Sequence, residues 1–94
     1  DINDVGTALS NPTRVRLLQL LSESDYTAST AHEEYNGRFN DEKHRESIYR
    51  ELENLVDHGF LDKNYETKSK ELRYSLRCQK IEINLLKAEV EVLK

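Results

Sequence analysis

The chain has 94 residues, of which 36% are hydrophobic and 34% are charged, and its net charge at pH 7 is −4. This length allows one small domain, and such domains often gain stability by oligomerisation. No signal peptide is visible and no apolar run approaches the roughly 20 residues that span a membrane, so we expect a soluble, cytoplasmic protein. The single cysteine, Cys78, cannot form an internal disulfide, which is typical of a reducing compartment. The chain contains no methionine, so we also expect that residue 1 is not the natural start.

Charge is distributed unevenly along the chain. Residues 1–37 hold two arginines against six acids, whereas residues 63–77 hold five cations against two acids. The overall negative charge disfavours a nucleic-acid partner, but a local basic strip is an electrostatic footprint that such a partner can use.

The N-terminal part of the chain predicts two helices. Ile2, Val5 and Leu9 form the apolar stripe of a short opening helix. Pro12 suits the first turn of a second helix, where its missing N–H costs nothing. The apolar run of residues 15–21 makes this second helix the expected centre of the core.

A short third helix is predicted next. Thr27, Ser29 or Thr30 can cap its start, and the same groups could also face a phosphate. We expect it to end at about Tyr35, because Asn36-Gly37 is a turn signal.

A long helix from about residue 42 to residue 58 follows, with Asp41 as its expected cap. Ile48, Leu52, Leu55 and Val56 mark its buried stripe, and Gly59 stands where a left-handed residue commonly ends a helix.

Two strands, at about residues 60–66 and 72–77, predict a hairpin with a polar tip at residues 67–70. Residues 79–94 carry a heptad-like stripe that predicts a last helix. The expected fold is therefore mainly α with a small β-hairpin (α+β), a winged helix-turn-helix with an extra helix at each end. Residues 1–78 would form the DNA-binding domain and residues 79–94 a dimerisation helix.

Two segments resemble known winged-helix regulators. Residues 9–21 resemble the opening of ArsR-type repressors, in the run LSNPTRVRLLQLL. Residues 47–61 are similar to the recognition helix and first wing strand of ArsR, MarR and PadR-like regulators, in the run SIYRELENLVDHGFL. The resemblance covers roughly residues 5–78 and implies a homodimeric transcription regulator, with repression as the expected mode.

The chain also departs from the ArsR pattern. The link before the recognition helix, residues 35–42, is longer than the tight turn of typical ArsR repressors, which favours PadR-like or archaeal, plasmid-borne or virus-borne relatives. The metal-sensing cysteine pair is absent, and the last helix lacks a His/Asp metal pattern. We therefore expect no metal and no cofactor.

A recognition helix keeps one face in the core and presents the other to the major groove, while a basic wing tip lies along the backbone or in the minor groove. The alternative is a solvated helix face on which Glu46 and Glu53 pair with Arg50, with tip lysines that only keep the hairpin soluble. Arg14 and Arg16 are expected to be structural or dimer-related. The residues expected to contact duplex DNA are Lys43, His44, Arg45, Ser47, Tyr49 and Arg50 of the helix and Lys68, Lys70 and Arg73 of the hairpin.

Two interpretations of the predicted terminal helices stay open. Either they form a dimer interface, or they fold back on their own domain. Two heptads are too short for an independent coiled coil, but packed against the first helix they could form a two-fold interface. The residues expected in that interface are Ile2, Val5, Leu9, Ile83, Leu86, Val90 and Leu93.

No catalytic motif is visible. His32-Glu33 begins like a metalloprotease helix but lacks the second histidine, and no phosphate-binding loop or nucleophile elbow exists. Two interpretations of Cys78 stay open: it is a redox-sensing thiol that links two subunits, or it is an ordinary half-buried cysteine. We expect no enzyme activity. The alternatives to a sequence-specific regulator are a winged-helix module for protein–protein contacts and an architectural DNA-binding protein of low specificity.

Overall fold

The computed structural model describes residues 5–6, 9–77, 80–84 and 89–93. The elements in chain order are α1 (Pro12–Glu23), β1 (Tyr26–Thr27), α2 (Ala28–Phe39), α3 (Arg45–Asp57), β2 (Leu61–Glu66), β3 (Glu71–Leu76), β4 (Lys80–Asn84) and β5 (Glu89–Leu93). Ahead of α1, Val5, Gly6 and Leu9 have helical conformation, and Ser10 N–H donates to the Gly6 carbonyl at 3.0 Å.

The hairpin of β2 and β3, which we call the wing (residues 61–76), belongs to a three-stranded antiparallel sheet in the order β1-β3-β2. Leu61 pairs with Leu76 at its base and Glu66 with Glu71 beside its tip. Tyr26 and Thr27 add the third strand by pairing with Tyr74 and Arg73. β1 was not predicted, because two residues are too few to show a period of two. Three helices on this sheet form a winged helix-turn-helix, so the expected fold class is confirmed.

The core lies between the three helices and the base of the wing. α1 contributes a fully buried apolar ridge, as predicted, and α3 contributes the predicted stripe. Burial of these side chains is the main stabilising term of so small a domain. The buried residues are Val5, Leu17, Leu20, Leu21, Ala31, Tyr35, Ile48, Leu52, Leu55, Phe60, Leu61 and Tyr74.

The first two helix starts follow from their caps. Asn11 Oδ1 accepts from the N–H of Thr13 at 2.9 Å and of Arg14 at 3.3 Å, and Pro12 occupies the first turn as predicted. Thr27 and Thr30 form a reciprocal capping box at the start of α2. Thr27 is therefore the cap among the candidates.

The end of α2 differs from the prediction. The helix continues through Asn36-Gly37 to Phe39 and ends at Asn40, whose φ is 49°. The expected turn at Asn36-Gly37 is therefore wrong. Tyr35 is fully buried and its ring lies 5.2 Å from that of Phe39, one helical turn later. This aromatic pair favours helix across the glycine, which alone costs only about 1 kcal/mol.

α3 begins at Arg45 rather than near residue 42, because Asp41 does not cap it. The Asp41 carboxylate accepts from the N–H of Glu42 within the link at 2.8 Å. At the other end, Gly59 has a φ of 81°, as predicted. Gly59 N–H donates to the Val56 carbonyl at 3.0 Å and Phe60 N–H to the Leu55 carbonyl at 2.9 Å, which is the Schellman arrangement.

The prediction of a C-terminal helix is wrong for the residues described there. β4 and β5 pair as an antiparallel two-stranded sheet, with Ile81 opposite Val92 and Ile83 opposite Val90. The runs KIEIN and EVEVL alternate β-branched with polar residues, which is the strand period. The same residues also have a heptad-like spacing, which predicted a helix. The pairing of β4 with β5 favours the strand pattern instead.

Two corrections concern the expected dimer residues. Val5 is only 2% exposed and packs in the chain's own core, so it offers no free side chain to a partner. Leu9 is 41% exposed. Ile83, Val90 and Leu93 lie in strands rather than in a helix. Ile2, Leu86 and Cys78 lie outside the described residues.

Candidate nucleic-acid interface

The outward face of α3 is exposed over its first two turns. Ile48 is fully buried, and it turns Arg45, Tyr49 and Arg50 to the surface. The Arg50 side chain is 74% exposed, and the Tyr49 residue is 46% exposed. Ser47 is half-buried beside them. The exposed groups are those that can donate to base edges or phosphates in a groove.

Lys43 and His44 lie in the link between α2 and α3, not within the helix as expected. Both are exposed, and His44 is the residue from which α3 starts, without a side-chain cap bond. They stand at the N-terminal end of α3, which is the end that recognition helices bring nearest to bases.

The alternative in which Arg50 pairs with Glu46 and Glu53 is not observed among the described residues. Glu53 pairs with Lys63 instead, and the nearest carboxylate to Arg50 is that of Glu51, at 3.9 Å. Glu51 is already hydrogen-bonded to Arg14 Nε at 2.6 Å. Arg50 thus lies near the limit of ion-pair distance from Glu51, and its side chain is 74% exposed.

The wing tip carries two cations and its return strand a third. Lys68 and Lys70 are exposed, and within the described part of the chain no carboxylate lies within ion-pair distance of either. Arg73 has two carboxylate neighbours, because Glu66 and Glu71 lie 3.1 and 3.5 Å from its guanidinium. The charge of Arg73 is therefore largely compensated.

A hydrogen-bond network centred on Glu53 lies on the second half of α3, and the sequence analysis did not predict it. The Glu53 carboxylate accepts from Lys63 Nζ at 2.8 Å and from the Tyr74 hydroxyl at 2.6 Å. Burial raises the pKa of Glu53, but these two hydrogen bonds outweigh it, and the net pKa is lower than usual. Burial and the same bond raise the pKa of Tyr74. The network joins α3 to the wing and fixes the angle between them.

The space between α3 and the wing is partly apolar. Arg45 and Leu72 line a cleft of about 350 Å³ at the start of α2. Leu72 is 37% exposed and pairs across the wing with Tyr65, which is 60% exposed. The strand alternation predicted these side chains but not their exposure, which arises because the wing extends beyond the core.

Arg14 and Arg16 are structural, in line with one of their two predicted roles. Arg14 bonds to Glu51 with both side chains mostly buried. Arg16 lies 5.1 Å from the centre of the Phe39 ring, 3.4 Å from the Tyr35 hydroxyl and 3.9 Å from the Asp41 carboxylate. Both arginines tie α1 to the helix-turn-helix.

Among the described residues, no group of three histidine, cysteine, aspartate or glutamate side chains could hold a metal ion. Across the same residues, no helix is long and apolar enough to cross a membrane.

Comparison with known proteins gives a likeness in structure only. No protein-family model matches the chain, and no curated protein matches it. A crystal structure titled as a possible transcriptional regulator for arsenical resistance is similar, with a TM-score of 0.59 and 23% identity over 74% of this chain and 65% of that one. The likeness is one of fold. It confirms the winged-helix architecture, and this chain spans less than two thirds of that protein's length.

Proposed function

We propose that this protein binds duplex DNA and regulates transcription. The observation that carries the proposal is the exposed N-terminal half of α3, with Arg45 and Arg50, beside a wing tip whose Lys68 and Lys70 have no carboxylate partner among the described residues. A helix with exposed arginines next to a basic ribbon suits a major groove and its flanking phosphates. The winged-helix fold, shared with a protein titled as a transcriptional regulator, supports this.

The proposed contacts fall into two kinds. Arg45 and Arg50 would bond guanine O6 and N7, with Ser47 and Tyr49 completing the readout of neighbouring bases. Lys43, His44, Lys68 and Lys70 would contact phosphates and set the register without reading sequence. Arg73 has the weakest case, because Glu66 and Glu71 compensate its charge.

We further propose a homodimer that represses transcription by blocking polymerase. A two-fold dimer would place two copies of α3 in successive major grooves of a pseudo-palindromic site. Leu9 and the paired strands β4 and β5 are the proposed contact region. Repression itself rests on analogy between folds.

A module for protein–protein contacts is the second candidate. The net charge of −4 favours it. An architectural protein would also bind DNA, but without preference among sequences. Salt and competitor DNA separate the three. A module for protein–protein contacts would bind no duplex even at low salt, DNA binding weakens steeply with salt, and only specific binding survives competitor DNA.

Selection from random duplexes by gel shift, repeated with two variants, tests the proposal. We expect Arg50→Ala to lose selectivity at one or two base pairs, at about 10-fold or more in affinity for the preferred base. Lys68→Ala/Lys70→Ala should weaken binding to all sequences alike and reduce the salt slope by about 2. Binding by neither the wild type nor the variants at low salt would exclude both DNA-binding functions. Unchanged binding by both variants would overturn the site assignment.

A further inference from the structure

Two side chains of α2 hold the link that precedes the recognition helix. Asn36 Oδ1 accepts from the Lys43 N–H at 3.0 Å, and Asn36 Nδ2 donates to the Lys43 carbonyl at 2.9 Å. His32 Nε2 lies 2.8 Å from the same carbonyl and 3.1 Å from Asn36 Nδ2. When Nε2 carries the proton it donates to the carbonyl, and in the other tautomer it accepts from Asn36 and orients that amide. Both backbone polar groups of Lys43 are thus bound by one face of α2.

The start of α3 depends on this arrangement because it has no cap of its own. His44 makes no side-chain cap bond, and the Asp41 carboxylate is bonded to the N–H of Glu42. A helix start without a cap frays more easily. Lys43 directly precedes His44, so fixing its backbone restricts the first turn of α3, where Arg45 lies.

The chemistry of Asn36 fits this task closely. An amide side chain presents one acceptor and one donor side by side, and they meet the N–H and the carbonyl of a single residue. Asn36 also belongs to the Asn36-Gly37 pair, which the sequence pattern favours as a turn but which lies inside α2. Its side chain here organises the neighbouring link instead of its own backbone.

We propose that Asn36 and His32 are positioning residues for DNA binding: they hold the link so that Lys43 and the first turn of α3 are ordered before duplex arrives. This inference rests on the proposed function and names what prepares its site. A flexible link would have to become ordered when duplex binds. The conformational entropy lost in that step would weaken the affinity for duplex. Neither residue belongs to the proposed DNA-contacting set.

The test combines duplex affinity with amide hydrogen exchange in Asn36→Ala, His32→Ala and His32→Gln. Glutamine can place a donor nitrogen near the position of His32 Nε2, so it is the rescuing variant. Gln19→Ala, which removes an exposed amide from α1, is the matched control. We expect the affinity to fall about 10-fold in Asn36→Ala and about 3-fold in His32→Ala, with less than about 2-fold change in His32→Gln and Gln19→Ala.

Exchange at the Lys43 amide separates positioning from general instability. In Asn36→Ala this amide should exchange at least about 10-fold faster, while core amides such as that of Leu52 keep their protection. If Asn36→Ala does not fold, the contrast between His32→Ala and His32→Gln decides. Faster Lys43 exchange with unchanged affinity, or equal affinity of the two His32 variants, would overturn the positioning role alone. A wild type that binds no duplex would overturn the proposed function as well.

Discussion

Glu53 lies where α3 meets the wing, and it shows how the charges of single residues differ along this surface. Its carboxylate accepts hydrogen bonds from Lys63 and Tyr74. Glu53 therefore stabilises the fold, and Lys63 compensates its negative charge. Two turns earlier on the same helix, Arg45 has no ion-pair partner among the described residues. The helix therefore presents a cationic beginning and a neutralised acidic end.

The Glu53 network makes the stability of the domain depend on pH. The folded-state pKa of Glu53 is lowered, so its contribution is present above the unfolded pKa and lost as the pH falls through the folded pKa. We expect Glu53→Gln to lower the free energy of unfolding by about 1 kcal/mol at pH 7, with the difference from wild type shrinking as the pH falls below the ordinary pKa of a glutamate. Urea melts at several pH values measure this. A difference that stays constant down to pH 3 would contradict the assigned pKa direction.

At the scale of elements, two glycines of the helical region, Gly37 and Gly59, should respond in opposite ways to an added side chain. Gly59 ends α3 with a φ of 81°, whereas Gly37 lies inside α2 with open space where a Cβ would be. A side chain is strained at the first position and favourable at the second.

We therefore expect Gly59→Ala to destabilise the protein by about 1 kcal/mol or more and Gly37→Ala to stabilise it by about 0.5–1 kcal/mol. A Cβ at Gly59 would meet only Arg77 Nη1, at 3.6 Å, so the cost comes from the backbone and not from a clash. Thermal melts of the pair measure both signs. A destabilising Gly37→Ala would mean that Asn36-Gly37 is a turn after all.

Sequence patterns were sufficient where one signal acted alone. Pro12 marked the start of α1, Gly59 the end of α3, and the alternation around Tyr74 the wing. The patterns failed where signals competed or were too short. The buried Tyr35 outweighed a turn signal, and β1 exists only through its pairing with β3.

The candidate site divides in the same way. The periodicity of α3 was enough to identify its outward residues, because Ile48 and Leu52 fix the buried face. It could not reveal that Arg73 is compensated across the wing or that Glu53 pairs with Lys63. Those contacts join residues on different strands and helices, so they depend on tertiary geometry.

At the scale of the whole molecule, the proposed dimer makes a separate prediction. We expect wild type to sediment as a dimer at micromolar concentration, and Leu9→Asp or Val90→Asp to sediment as a monomer, because a charge in an apolar interface is costly to desolvate. Ser22→Asp, at an exposed position of α1, is the control that should stay dimeric. Sedimentation velocity measures the three variants. A wild type that is monomeric throughout would exclude this assembly.

The overall charge of −4 restricts how this molecule could approach DNA, and among the described residues Arg45, Lys68 and Lys70 are exposed cations without an ion-pair partner. Binding should therefore be oriented and confined to α3 and the wing tip. Adding unlabelled duplex to the ¹⁵N-labelled protein and following the backbone amide signals tests this claim directly. We predict that the shifts concentrate in residues 43–50 and 67–70. Shifts centred on α1 or β4, or none at low salt, would contradict it.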